Sequence, residues 1–136
     1  MTQVIEIEES EAIKTLGRAG SWRQYPSYSY QAAKRVSSLS RFLSIIDSSE
    51  TIAVANLRTR VLPLGLGGSG LISHGPILLR SPDVWQHDLD RAIGALARHA
   101  CETGEEIRID PDPLWQLHGV RPSYPARAFP DARARL

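Results

Sequence analysis

The chain has 136 residues, with 16 Lys and Arg against 15 Asp and Glu, a formal net charge of +1, 42% hydrophobic and 23% charged residues. That balance suits a soluble globular domain rather than a disordered chain, and the length fits one domain with a real core. No run approaches the roughly 18 apolar residues that a membrane span requires, so a membrane partner is not expected. A single Cys101 cannot build a disulfide framework, and the acidic start MTQVIEIEESE has no basic and apolar leader; both readings point to the cytoplasm.

Arginine outnumbers lysine 14 to 2. A GC-rich bacterial or phage genome accounts for such an excess, and recognition of phosphate or carboxylate by the guanidinium fork is its functional counterpart. The near-zero net charge hides an uneven distribution. Residues 1–11 carry −4, residues 12–82 carry +7, residues 83–113 carry −5 and residues 114–136 carry +3. An electrostatically two-sided molecule is one consequence of that pattern; acidic neighbours folded against a basic segment are the other.

In chain order, residues 3–8 alternate, with Ile5 and Ile7 on one side and Glu6 and Glu8 on the other, the period of a half-buried strand. Ser10 offers an N-cap to a short helix in which Ile13 and Leu16 share a face, stopped by Gly17 and Gly20. Residues 21–30 read as a loop around Pro26 that carries Trp22, Tyr25, Tyr28 and Tyr30. Beyond it, Val36, Leu39, Leu43 and Ile46 follow i, i+3, i+7, i+10 and predict a helix, capped by Ser27 or Ser29 and ended by Asp47 and two serines. Residues 51–57 predict a buried strand, and residues 58–64 a continuation or a second strand. The glycine-rich stretch 65–75 predicts a mobile loop or hairpin, and residues 76–79 a further strand.

The best-marked element follows. Ser81 as N-cap, Pro82 in the first turn and Asp83 against the helix dipole open a helix over 82–103. Trp85, Leu89, Ile93, Leu96 and Ala100 form its apolar stripe, and Gly104 ends it. Residues 105–110 predict a closing strand with Ile107 and Ile109 inward, and residues 114–118 one helical turn. The expectation is an α+β fold in a single domain over residues 1–120. It has a small, mostly antiparallel sheet of three to five strands with about three helices on one face, and an Arg/Pro-rich tail over 121–136 that is extended or disordered.

No catalytic motif is present. The glycine stretch lacks the Gly-Lys-Ser/Thr ending of a phosphate loop and the spacing of a dinucleotide fingerprint. His74, His87, His99 and His118 have no compact ligand spacing, so no metal, cofactor or catalytic residue is assigned. Asp88 with Asp90, and Asp110 with Asp112, read as surface or turn pairs, and Cys101 as a helix residue at the core edge. One stretch suggests a partner: no Asp or Glu occurs over residues 12–46, while aromatic and basic residues crowd there. Phosphates suit Arg, Lys and Ser; bases suit aromatic faces.

The expected activity is therefore non-catalytic binding to nucleic-acid backbone as a component of a larger assembly. Its candidate contacts are Arg23, Lys34, Arg35, Ser38 and Arg41, extended by Arg58, Arg60 and Arg80. The alternative partner is another protein, held by Trp22, Tyr25, Tyr28 and Tyr30 in an adaptor, inhibitor or immunity-type role. A third reading is a small enzyme on the 65–75 loop with His74.

Overall fold

The computed structural model describes residues 2–18, 39–61, 68–73, 75–110, 115, 117–121 and 127–128. The elements in chain order are β1 (Thr2–Ile7), α1 (Glu9–Arg18), β2 (Leu39–Asp47), β3 (Glu50–Val61), β4 (Gly68–Ser73), β5 (Ile77–Leu78), α2 (Trp85–Thr103), β6 (Glu105–Asp110) and β7 (Arg127–Ala128). They form one mixed sheet in the order β1-β2-β3-β4-β6-β7, with β5 paired to β3. Every pairing is antiparallel except β4–β6. The α+β class and the mostly antiparallel sheet agree with the sequence. The counts differ: the sheet has seven strands, two of them only two residues long, and two α-helices lie among the described residues.

The largest difference is β2. Residues 39–46, expected as the end of a helix, are a strand that joins β3 through a two-residue turn. Ser48 and Ser49 have φ of 51° and 73°, the doubly positive geometry that a tight antiparallel hairpin demands. They close a hairpin rather than end a helix. The helical spacing of Val36, Leu39, Leu43 and Ile46 was misleading because β2 is covered on both sides. Phe42, Leu43, Ser44 and Ile45 are all buried, so no polar alternation marks the strand.

Two cores result, one on each side of the sheet. Leu43, Ile45, Ala55, Leu57, Ile72, Ile107 and Ile109 meet the predicted stripe of α2, in which Trp85, Leu89, Ile93, Leu96 and Ala100 are all buried. On the other side Ala12 and Leu16, one turn apart on α1, pack on Phe42, Val54 and Ile77. The helices therefore lie on opposite faces, not on one. Burial of each large aliphatic side chain contributes about 1.5–3 kcal/mol, and the α2 face holds most of them.

Several local expectations hold and others change. Residues 50–61 are one continuous strand, with a register shift beside Ile45 and Ile46 that leaves Ile52 unpaired. Gly68–Ser73, the second half of the glycine-rich stretch, is strand β4 rather than a loop. A 3-10 turn at Pro82–Val84 leads into α2, and Ser81 makes no side-chain cap hydrogen bond. Gly104 ends α2 at φ 72°, donating its N–H to Ala100 O, as the sequence predicts. Within the 121–136 segment, Arg127–Ala128 adds a short strand to β6.

Candidate functional site

Of the sequence-predicted contacts, Arg41, Arg58 and Arg60 lie on described strands. Arg23, Lys34, Arg35, Ser38, Trp22, Tyr25, Tyr28 and Tyr30, and likewise His74, lie outside the described residues. No helix carries Arg41; it sits on β2 opposite Leu57. Strand alternation then separates Arg41 from Arg58. Arg41 shares the α2 side with Leu43 and donates from NH2 to the hydroxyl of buried Thr59 at 2.8 Å.

Arg58 shares the opposite side with Asn56. Asn56 is 3% exposed, and its amide donates to Ser40 Oγ at 2.9 Å and to Arg41 O at 3.2 Å, tying β3 to β2. Arg58 is half-buried. Its Nε is sealed from solvent and has no hydrogen-bond partner, and the same is true of Asn56 Oδ1. The Nε of Arg41, on the other side of the sheet, is likewise buried without a hydrogen-bond partner, so this feature does not by itself set Arg58 apart.

Register then brings in arginines from distant parts of the chain. Arg58 pairs with Leu71, Leu71 with Arg108, and Arg108 with Arg127, a single row across β3, β4, β6 and β7. Arg60 follows two residues along β3, paired with Ser69. Neighbouring strands are about 4.8 Å apart, which sets the backbones of Arg58 and Arg108 about 10 Å apart. Arg108 is exposed, with half-buried Glu106 and exposed Asp110 two residues to either side on its strand. Arg108 and Arg127 were not singled out from the sequence. Their isolated signal is weak, since only strand register joins them to Arg58.

Arg80 behaves differently. Its Nε donates to Asp88 Oδ2 at 2.8 Å, its NH2 to Asp88 Oδ1, and its NH1 to Glu50 Oε1 at 3.1 Å. The paired hydrogen bonds to Asp88 push the Arg80 pKa above its ordinary value; burial opposes this, and the charges of Asp88 and Glu50 add to it. Asp88 has no exposed side-chain surface, and His87 Nδ1 lies 3.3 Å from its Oδ1. It is a buried partner of arginine, not the surface residue that the D-x-D spacing suggested. Arg80 is correspondingly consumed inside the fold and does not extend a basic surface.

Around this clamp the start of α2 is pinned from several directions. Trp85 donates its indole N–H to Arg80 O at 2.6 Å and stacks edge-on with His118, centroids 4.9 Å apart. Gln86 clasps the backbone of Arg121, donating to its O at 2.7 Å and accepting from its N at 3.3 Å. Buried Trp115 donates to Pro76 O at 3.1 Å. This network holds the segment after β6 against α2, and both oxygens of Asp88 are engaged, so it offers no free base. Cys101 is exposed rather than at the core edge. Among the described residues no group of three or more His, Cys, Asp or Glu could hold a metal ion, and no helix is long and apolar enough to cross a membrane.

Compared with protein-family models, curated proteins and solved structures, the chain matches none of them. The reading of the site rests on its own chemistry.

Proposed function

We propose that this protein is a non-catalytic domain that binds nucleic-acid backbone across the β3–β4–β6–β7 side of its sheet, as an accessory part of a larger assembly. The observation that carries this reading is the strand register that sets Arg58, Leu71, Arg108 and Arg127 in one row across β3, β4, β6 and β7. A guanidinium donates two parallel hydrogen bonds to a phosphate and keeps its charge at any working pH. Arginines spaced across adjacent strands suit a repeating anion better than a single carboxylate. Half-buried Leu71 between them gives an apolar floor on which a sugar or base edge can rest.

Binding of this kind is sequence-independent and releases counterions, so affinity falls steeply as salt rises. The test is binding of the purified protein to mixed single- and double-stranded oligonucleotides over a salt series. The expected result is measurable affinity at low salt with a log-log slope of about −0.9 for each duplex phosphate contacted. Absence of binding at low salt contradicts the proposal.

A further inference from the structure

The arginine row is narrow, and its borders on β6 are acidic. Residues two apart on a strand share one side of the sheet, so Glu106 and Asp110 lie on the side of Arg108. Each stands about 7 Å from Arg108 along the strand. Asp110 is exposed and Glu106 half-buried, and among the described residues neither has an ion-pair partner.

Register carries these borders across the sheet. Asp110 pairs with Ser73, while Glu106 pairs with Ser69 and Ser69 with Arg60. At β6 the basic strip is therefore bounded by a carboxylate on either hand, and at β3 Arg60 widens it on one side only. From β3 to β7 the row crosses three strand spacings, about 14 Å. The strip is long across the strands and narrow along them.

That shape selects among polyanions. A duplex presents two phosphate strands, about 6 Å apart across its minor groove and about 12 Å apart across its major groove. With one of them laid along the row, the other falls to the side, over the line of Glu106 or of Asp110. Turned to run along β6 instead, a phosphate strand passes over both carboxylates. Like charges brought together in this way cost affinity. A lone strand that follows the row meets its arginines and passes between the carboxylates.

Leu71 favours the same ligand. It is half-buried and stands between Arg58 and Arg108 in the row. The bases of a duplex are paired inward, whereas an unpaired base can turn down onto an apolar side chain.

We infer that the protein binds single-stranded nucleic acid in preference to duplex. The backbone runs across the strands along the row Arg58–Arg108–Arg127, and Glu106 and Asp110 repel a second phosphate strand. This inference rests on the reading of the row as an anion-binding surface.

Fluorescence anisotropy at low salt, with a short labelled DNA strand either alone or annealed to its complement, tests both. The single strand should bind about tenfold or more tightly than the duplex, through the like-charge contact that the duplex alone must make. The Glu106→Gln/Asp110→Asn double variant removes both charges and keeps both shapes. It should narrow that ratio, chiefly by tightening duplex binding. Glu102→Gln, at an exposed position on α2, controls for net charge and should leave the ratio unchanged. Duplex binding as tight as single-strand binding in the wild type overturns the inference and leaves the anion-binding reading standing. A ratio that persists undiminished in the double variant overturns it as well, since the carboxylates then select nothing. Binding of neither form at low salt overturns both the inference and the reading beneath it.

Discussion

Arg80, in the bend after β5, and Arg58, on β3, are both half-buried, but they differ in what their guanidinium groups meet. Arg80 spends its donors on Asp88 and Glu50, with Asp88 fully buried beneath it. Arg58 faces Ser40 and Leu71 across its neighbouring strands, and its Nε meets no acceptor. An arginine neutralised by a buried carboxylate holds elements together and cannot bind a partner without unfolding them. On the proposed reading, an arginine with no carboxylate partner among the described residues is the one open to a partner outside the fold. Burial alone does not distinguish the two; the partner does.

The comparison can be broken most severely at Asp88. Asp88→Ala leaves Arg80 half-buried without its main acceptors and should destabilise the fold by about 2–3 kcal/mol. That is below the about 3–5 kcal/mol of a fully buried pair, because Arg80 stays 29% exposed. Chemical denaturation should show the loss, with oligonucleotide affinity unchanged under conditions where the variant remains folded. Arg41→Ala removes the hydrogen bond to Thr59 and should cost about 1 kcal/mol. Because Arg41 belongs to the α2 side, this variant should bind oligonucleotides like the wild type, reversing what the sequence alone predicts for it.

Arg58→Gln sharpens the contrast from the other side. Stability should change by less than about 1 kcal/mol, while the salt slope of binding should lose about one unit. Glu50→Gln is the mildest test. The carboxylate is 60% exposed, so its pair with Arg80 should contribute no more than about 0.5 kcal/mol, readable as a small shift in the denaturation midpoint.

Much of the α2 side was legible in the sequence because its signals agree. The stripe from Trp85 to Ala100, the terminal Gly104 and the alternation around Ile107 and Ile109 each point to the element observed. β2 was not legible, since a strand buried on both sides shows neither period cleanly and the residues around Leu43 also satisfy helical spacing. The Asp88–Arg80 clamp was hidden for a different reason. Its partners are eight residues apart and meet only because the Pro82–Val84 turn folds one back over the other. The arginine row is less legible still: Arg58, Arg108 and Arg127 come from three strands, and only their register assembles them. Local patterns encode elements, whereas this site is a product of strand order.

The most direct test of the central claim is the salt dependence of oligonucleotide binding for the wild type and for the Arg58→Gln/Arg108→Gln double variant. The account predicts that the double variant stays folded, binds more weakly, and shows a log-log slope shallower by about two units. An unchanged slope in a folded double variant would contradict the assignment of this sheet side as the anion-binding surface.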